Sequence, residues 1–306
     1  MLGVLQGFTL ILGVIGAGYL AGVLGIVKGD QRLVLNNVAF YIATPALLFD
    51  VIHDSDPKVL LSPVILATSA AAILAAATYL VIARLRFRGD IGSLTLGATS
   101  SGYVNSNNLG LPVALYILGD AAYVAPLILV QVVIYAPIIL AILEMTRGNR
   151  SGAGIALARA ASNPIIIASL LGFLVALFGW ELPAVVFGPI EMLGAAAVPM
   201  ILMSFGVSLY GQRTLQPGTG RASVITSSII KVFLMPLFAW VIARAIGLDA
   251  HSVFVATTIA ALPTAQNVYN YAATYRRAEV MVRDTVFITT FASLPVIAII
   301  ALLLGG

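Results

Sequence analysis

The stretch Ser100-Ser101-Gly102-Tyr103-Val104-Asn105-Ser106-Asn107-Asn108-Leu109-Gly110-Leu111-Pro112 decides how this chain folds. It lies inside an apolar run at about 91–117, yet it carries three Asn, three Ser, two Gly and a Pro. Such a segment makes a poor lipid-facing helix, because Pro lacks a backbone donor and an amide buried without a partner is costly. It therefore reads as a helix broken in mid-membrane, a form tolerated only where protein, water or a ligand satisfies the freed backbone. The stretch Ala261-Leu262-Pro263-Thr264-Ala265-Gln266-Asn267, followed by Asn270, repeats the arrangement. Interrupted helices at matching places in two halves of a chain are the best sequence pointer to a transporter binding site. Half-helix N-termini following Pro112 and Pro263 would present free N–H groups and positive dipole ends, which favour an anion.

Around these two stretches the chain is almost wholly apolar. Of its 306 residues 60% are hydrophobic and 9% charged, and the mean hydropathy is +1.06. A soluble domain carries about 25% charged residues, so here the bilayer is the solvent. Apolar runs fall at about 2–27, 33–52, 61–83, 91–117, 121–143, 164–180, 185–209, 222–246, 252–275 and 280–304. At about 20 residues per span, that predicts an all-α polytopic membrane protein of ten transmembrane helices. No Lys or Arg precedes the first run, which is also too long for the apolar part of a signal peptide and is expected to stay. The absence of Cys excludes disulfides and thiolate chemistry.

The basic residues report topology rather than nucleic-acid binding. Lys28, Arg32, Arg84, Arg86, Arg88, Arg147, Arg150, Arg159, Arg213, Arg221, Arg276, Arg277 and Arg283 fall in odd-numbered loops, whereas Lys58 and Arg244 fall in even-numbered ones. The odd loops are therefore expected in the cytoplasm and both termini outside. Pro45 in Ala43-Thr44-Pro45-Ala46 matches Pro199 in Ala197-Val198-Pro199-Met200, 154 positions on, and Pro112 matches Pro263, 151 positions on. The pattern predicts an inverted 5+5 repeat with broken crossover helices 4 and 9. Its first unit is 1–143, a short cytoplasmic loop 144–163 follows, and the second unit is 164–306. That loop holds Asn149-Arg150-Ser151, a glycosylation sequon that is silent on the cytoplasmic side.

Lys231 is the one ionised side chain expected near the middle of a span. A charge there is a functional-site hypothesis by default and faces the bundle interior. Its candidate partners are Glu191, Asp284, an anionic substrate, or the negative C-terminal ends of the broken half-helices. His53 and His251 fall in outer turns and do not read as metal ligands. Gly16-Ala17-Gly18-Tyr19-Leu20-Ala21 matches a dinucleotide fingerprint by letters only, since no strand precedes it; close helix packing through Gly18 and Gly22 accounts for it better. The chain has no zinc-protease, hydrolase or P-loop motif, and enzyme function has no support.

Several segments together resemble the auxin efflux carrier family, which includes plant PIN-type carriers and bacterial organic-acid permeases. They are Pro45-Ala46-Leu47-Leu48-Phe49 followed by Asp56-Pro57; Asn105 through Pro112 followed by Leu118-Gly119-Asp120; Leu129-Val130-Gln131-Val132-Val133-Ile134-Tyr135; and Ala261-Leu262-Pro263 with Tyr269 and Tyr275. The resemblance implies a ten-helix elevator transporter, usually dimeric, similar in fold to bile-acid sodium symporters. Helices 1, 2, 6 and 7 would form the scaffold, and helices 3–5 and 8–10 the moving transport domain. It places Asn105 on the substrate and Gln131, with Tyr135, at the entrance or support site. Asn107, Asn108, Gln266 and Asn267 make this crossover more polar than in plant carriers, which leaves a sodium site near Asn108, Gln266 and Asn267 open. The brief central loop is like that of bacterial members.

These readings predict a secondary transporter in the plasma (inner) membrane, acting as a homodimer with no cofactor and no nucleic-acid partner. Its substrate is a small organic anion, auxin-like or a dicarboxylate, held at the crossover by Asn105 and by the N–H groups after Pro112 and Pro263. Lys231 would neutralise or brace the site, and the coupling ion would be a proton, sodium or absent. The competing readings are a sodium symporter for a bile-acid-like acid, an anion channel, and a sensor without flux.

Overall fold

The computed structural model describes residues 2–28, 30–54, 62–87, 89–146, 164–180, 182–211, 215 and 220–305. Asp56-Pro57, Lys58, Arg88, Arg213 and positions 147–163 of the central loop, with Arg147, Arg150, Arg159 and the sequon, lie outside them.

Among the described residues the regular structure is helical. The first half contains α1 (Leu2–Val23), α2 (Asp30–Val38), α3 (Thr44–His53), α4 (Val64–Arg86), α5 (Ile91–Gly102), the single turn α6 (Leu111–Val113), α7 (Ala125–Val130) and α8 (Ala136–Met145). The second half contains α9 (Pro164–Phe178), α10 (Ala184–Leu209), α11 (Arg221–Ile229), α12 (Met235–Ala245), α13 (Ala250–Ala261), α14 (Gln266–Tyr275) and α15 (Glu279–Leu304). Wide π-helical turns join several neighbours without ending the helix, at Ala39–Ala43, Ser106–Gly110, Ala114–Leu118, Gln131–Tyr135 and Ile230–Leu234. Among the described residues, five helices are long and apolar enough to cross a membrane: Val34–His53, Val64–Arg86, Ala184–Val207, Arg221–Ala245 and Glu279–Leu304. The chain is a multi-pass membrane protein.

Two packing groups divide the helices. In one, α1, α2 and α3 pack on α10, and α3 also packs on α9. Glycine lets these axes approach: a Cβ at Gly18 would run into the Met203 backbone, and one at Gly206 into the Ile15 carbonyl. Gly22 lies against Tyr210 and Val207, so Gly18 and Gly22 serve helix packing, whereas a Cβ at Gly16 would meet nothing within 4 Å. In the other group, α4 packs on α5, α12 and α13, while α15 packs on α11, α13 and α14. The groups touch where α1 meets Ala114–Leu118 and where α10 meets Ser106–Gly110. That second contact brings the polar stretch of the opening motif against the first group.

Candidate functional site: the crossing of two interrupted helices

Two helices of equal length lead into the site. Asp90 caps α5, its carboxylate accepting from the Ser93 N–H at 3.1 Å and the Ser93 hydroxyl at 2.9 Å. Asp249 caps α13 in the same way, from the Ser252 N–H at 3.0 Å and its hydroxyl at 2.7 Å. Each cap satisfies donors that a helix N-terminus leaves free. Burial acts to raise the Asp90 carboxyl pKa, but the Ser93 bonds and Arg277, 3.1 Å away, outweigh it and hold the group below the usual carboxylate range. The Ser252 bonds lower Asp249 likewise.

Both helices stop after 12 residues, and the chain crosses itself there. Val104 and Thr264 form an antiparallel bridge, in which the Asn105 N–H donates to the Pro263 carbonyl at 2.8 Å and the Ala265 N–H to the Tyr103 carbonyl at 3.1 Å. Each segment thus satisfies the backbone that the other's break exposes. The Thr264 hydroxyl donates to the Ser100 carbonyl at 2.6 Å, and the Thr264 N–H to the Thr289 hydroxyl at 3.1 Å.

This geometry corrects one expectation. The first break falls at Tyr103–Asn105, not at Pro112, and the paired position of the second is Thr264. Pro112 lies inside α6 between two π-helical turns, buried, within a helix that continues to Leu118. A π-helical turn already displaces the regular hydrogen bonds, so the missing N–H of a proline beside it breaks nothing further. Asp90 and Asp249, 159 apart, cap helices of equal length, and Val104 and Thr264, 160 apart, are bridged, whereas Pro112 lies within a continuing helix and Pro263 at a break. The recurring Asp-x-x-Ser was the available signal.

Amides surround the crossing. Asn105 is 3% exposed, and its side-chain oxygen accepts from the Asn108 N–H at 3.1 Å, capping the helix that resumes at Ser106. Asn107 donates to the Asn108 side-chain oxygen at 3.1 Å, and Asn108 donates in turn to the Gln266 side-chain oxygen at 3.4 Å, linking the two resumed helices. The Asn107 side-chain oxygen is buried with no hydrogen-bond partner among the described residues. Asn267 is half-buried in the first turn of α14. Gln131 clamps the first break: its amide donates to the Val104 carbonyl at 2.9 Å and its oxygen accepts from the Ser106 hydroxyl. Tyr103 donates to the Gln131 carbonyl at 3.2 Å, and Tyr135 to the Ser69 carbonyl at 3.3 Å. The two tyrosine rings meet edge-on at 6.4 Å.

Lys231 stands behind the second break with no exposed surface. Its ammonium group donates to the Ala260 carbonyl, in the last turn of α13, at 2.9 Å and to the Met235 sulfur at 3.2 Å. Of the partners weighed for it, the structure thus shows a half-helix C-terminus, where a cation offsets the negative dipole end. Asp284 is bonded instead to the Leu215 N–H at 2.8 Å and to Arg283 at 2.7 Å, and Glu191 is exposed. His53 ends α3 with its ring between Phe49 and Phe187, and His251 bonds the Tyr123 hydroxyl at 3.0 Å.

A family model described as Membrane transport protein matches residues 7–301, nearly the whole chain. The chain belongs to this family. It is the auxin efflux carrier family whose motifs surround the crossing, and its members are transporters, not enzymes. An uncharacterized transporter of Methanocaldococcus jannaschii is 26% identical over 292 residues, covering 92% of each chain. A protein of Rhizobium meliloti, provisionally named a malonate transporter, is 27% identical over 296 residues, covering 92% of this chain and 89% of its own. As in any member of a transport family, a small-molecule substrate and a membrane setting follow.

Proposed function

We propose that this chain is a secondary transporter for a small carboxylate, bound at the crossing and carried by an elevator movement. The observation that carries the reading is the antiparallel crossing of two interrupted helices, lined by the amides of Asn105, Asn107, Asn108 and Gln266 and backed by the buried cation of Lys231. The helix resuming at Gln266 offers N-terminal N–H groups to an anion, and the Asn105 and Asn267 side chains supply further donors; at the other resumed helix the Ser106 and Asn108 N–H groups are already taken by Val104 and Asn105. The repeated Asp-x-x-Ser caps, the equal lengths of α5 and α13 and the antiparallel bridge support a ten-span inverted 5+5 repeat. The two packing groups support a scaffold (spans 1, 2, 6 and 7) and a transport body (spans 3–5 and 8–10). The provisional name of the Rhizobium meliloti relative favours a dicarboxylate among the acids. The protein would act as a homodimer in the inner membrane with both termini outside.

One observation favours a second reading, transport coupled to sodium. The Asn107 side-chain oxygen is a buried acceptor without a donor among the described residues, beside the Asn108–Gln266 bridge, and hard cations take such oxygens as ligands. One experiment separates the readings: thermal unfolding of the purified protein with malonate, malate, indole acetate or a bile acid, each with and without sodium and at two pH values. A ligand bound only by the folded state raises the midpoint with its concentration. Stabilisation by one carboxylate is expected; dependence on sodium would select the second reading, and no shift with any acid would remove the organic-anion reading.

A further inference from the structure

One face of α11 and the turn after it carries Ser223, Ser227 and Lys231 at i, i+4 and i+8, the spacing that aligns side chains along a helix. Each reaches a different helix. Ser223 bonds the Tyr79 hydroxyl of α4. Ser227 lies 2.9 Å from the Ser101 hydroxyl and 3.0 Å from the Gly97 carbonyl, both of α5. Lys231 donates to the Ala260 carbonyl of α13. One continuous element therefore holds both half-helices that enter the crossing, the first through a hydroxyl and the second through the Lys231 side chain.

At its two ends α5 is held along its axis by Arg277 on the capping Asp90 and by the Thr264–Ser100 bond with the bridge that follows; between those ends the bonds of Ser227 supply a directional contact. Against α4 it is packed through glycine: a Cβ at Gly97 would meet the Tyr79 ring and one at Gly102 the Ala72 carbonyl. Such smooth contacts set how close two helices lie, whereas a directional bond sets their height. Ser101 also donates to the Gly97 carbonyl within its own helix, at 2.9 Å. Three oxygens there share two hydroxyl protons, so removing the Ser227 hydroxyl leaves Ser101 and Gly97 bonded to each other. Only the link between helices is lost, with no polar atom orphaned.

We propose that Ser227 is a positioning residue of the crossing: through Ser101 and Gly97 it holds α5 at the height at which Lys231 holds α13, keeping the amide groups of the two resumed helices in register. The inference rests on the carboxylate reading for its transport readout but not for its structural one. An interhelical bond in a membrane bundle averages about 0.6 kcal/mol, about threefold in an equilibrium constant.

The test compares three variants in reconstituted vesicles and by hydrogen exchange. Ser227→Ala is expected to raise the half-saturation concentration of the carboxylate about threefold with little change in maximum rate, and to speed amide exchange in residues 97–110. Ser227→Thr, which keeps the hydroxyl, should restore both. Ser223→Ala breaks the neighbouring bond of the same face, to α4, and should leave half-saturation at its wild-type value. Equal effects of Ser223→Ala and Ser227→Ala, or wild-type values for both, would overturn the inference. If the wild-type protein shows no saturable carboxylate uptake, the proposed function fails. Exchange alone then decides for Ser227: faster exchange confined to Ser227→Ala supports it, and unchanged exchange overturns it.

Discussion

Asn105 does two things at once: its backbone N–H joins the crossing and its side chain caps the helix that resumes beyond it. Replacing it with Ala keeps the first and removes the second, at a cost of about 1 kcal/mol for a lost cap. Asn105→Ala is expected to fold with a modestly lowered thermal midpoint and to lose uptake; wild-type uptake would show that the amide does not touch the substrate. Lys231→Met keeps the length of the side chain but leaves the Ala260 carbonyl without its donor, a loss of about 1–3 kcal/mol. Its unfolding midpoint should fall, and Lys231→Arg should regain part of the loss if the residue serves as a brace. These residues were legible in the sequence because an amide or ammonium inside an apolar run stands out. Ser227 was not, since a hydroxyl within a membrane helix usually bonds its own backbone and only the tertiary arrangement turns this one to a neighbour; nor was Thr264, whose bonds depend on the crossing itself.

At the scale of elements, α5 and α13 behave as a matched pair, each opened by an Asp-x-x-Ser cap. Both capping carboxylates have folded-state pKa values below those of the free side chain. Their contribution is therefore present above the ordinary carboxylate pKa of about 3.9 and fades as pH falls through the lower folded-state values. Unfolding midpoints should decline as the pH drops below about 4, and the Asp90→Asn, Asp249→Asn double variant should flatten that limb; an unchanged profile would mean the caps do not report on global stability. The broken helices themselves could be anticipated from Pro263 and from the Asn-rich run, but the position of the first break could not. Tyr103, Val104 and Asn105 are weak helix formers but not breakers; the antiparallel bridge to Pro263–Ala265 is what makes the extended form stable there. Pro112, the loudest local signal, is absorbed by the π-helical turn in front of it.

For the whole molecule, the hydropathy pattern conveyed a multi-pass helical protein, while the division into two packing groups depends on which glycines meet which backbones. A side chain at Gly206 must displace α1, because the Ile15 carbonyl occupies the space of its first carbon. Gly206→Val is expected to lower the unfolding midpoint markedly, and a wild-type midpoint would show that this contact yields easily. The buried ammonium group of Lys231 has a further effect at this scale. Fastened to a half-helix, it belongs to the body that the elevator reading sets in motion, so whenever that group holds its proton the empty carrier bears a positive charge within the membrane field. A monocarboxylate would make the loaded carrier neutral, and a dicarboxylate would reverse its sign. A full charge crossing the field is worth about 2.3 kcal/mol per 100 mV. Voltage would then act on the unloaded return for a monoanion and on both strokes for a dianion, so that imposing potassium diffusion potentials on vesicles would reveal the valence of the cargo from electrical behaviour alone.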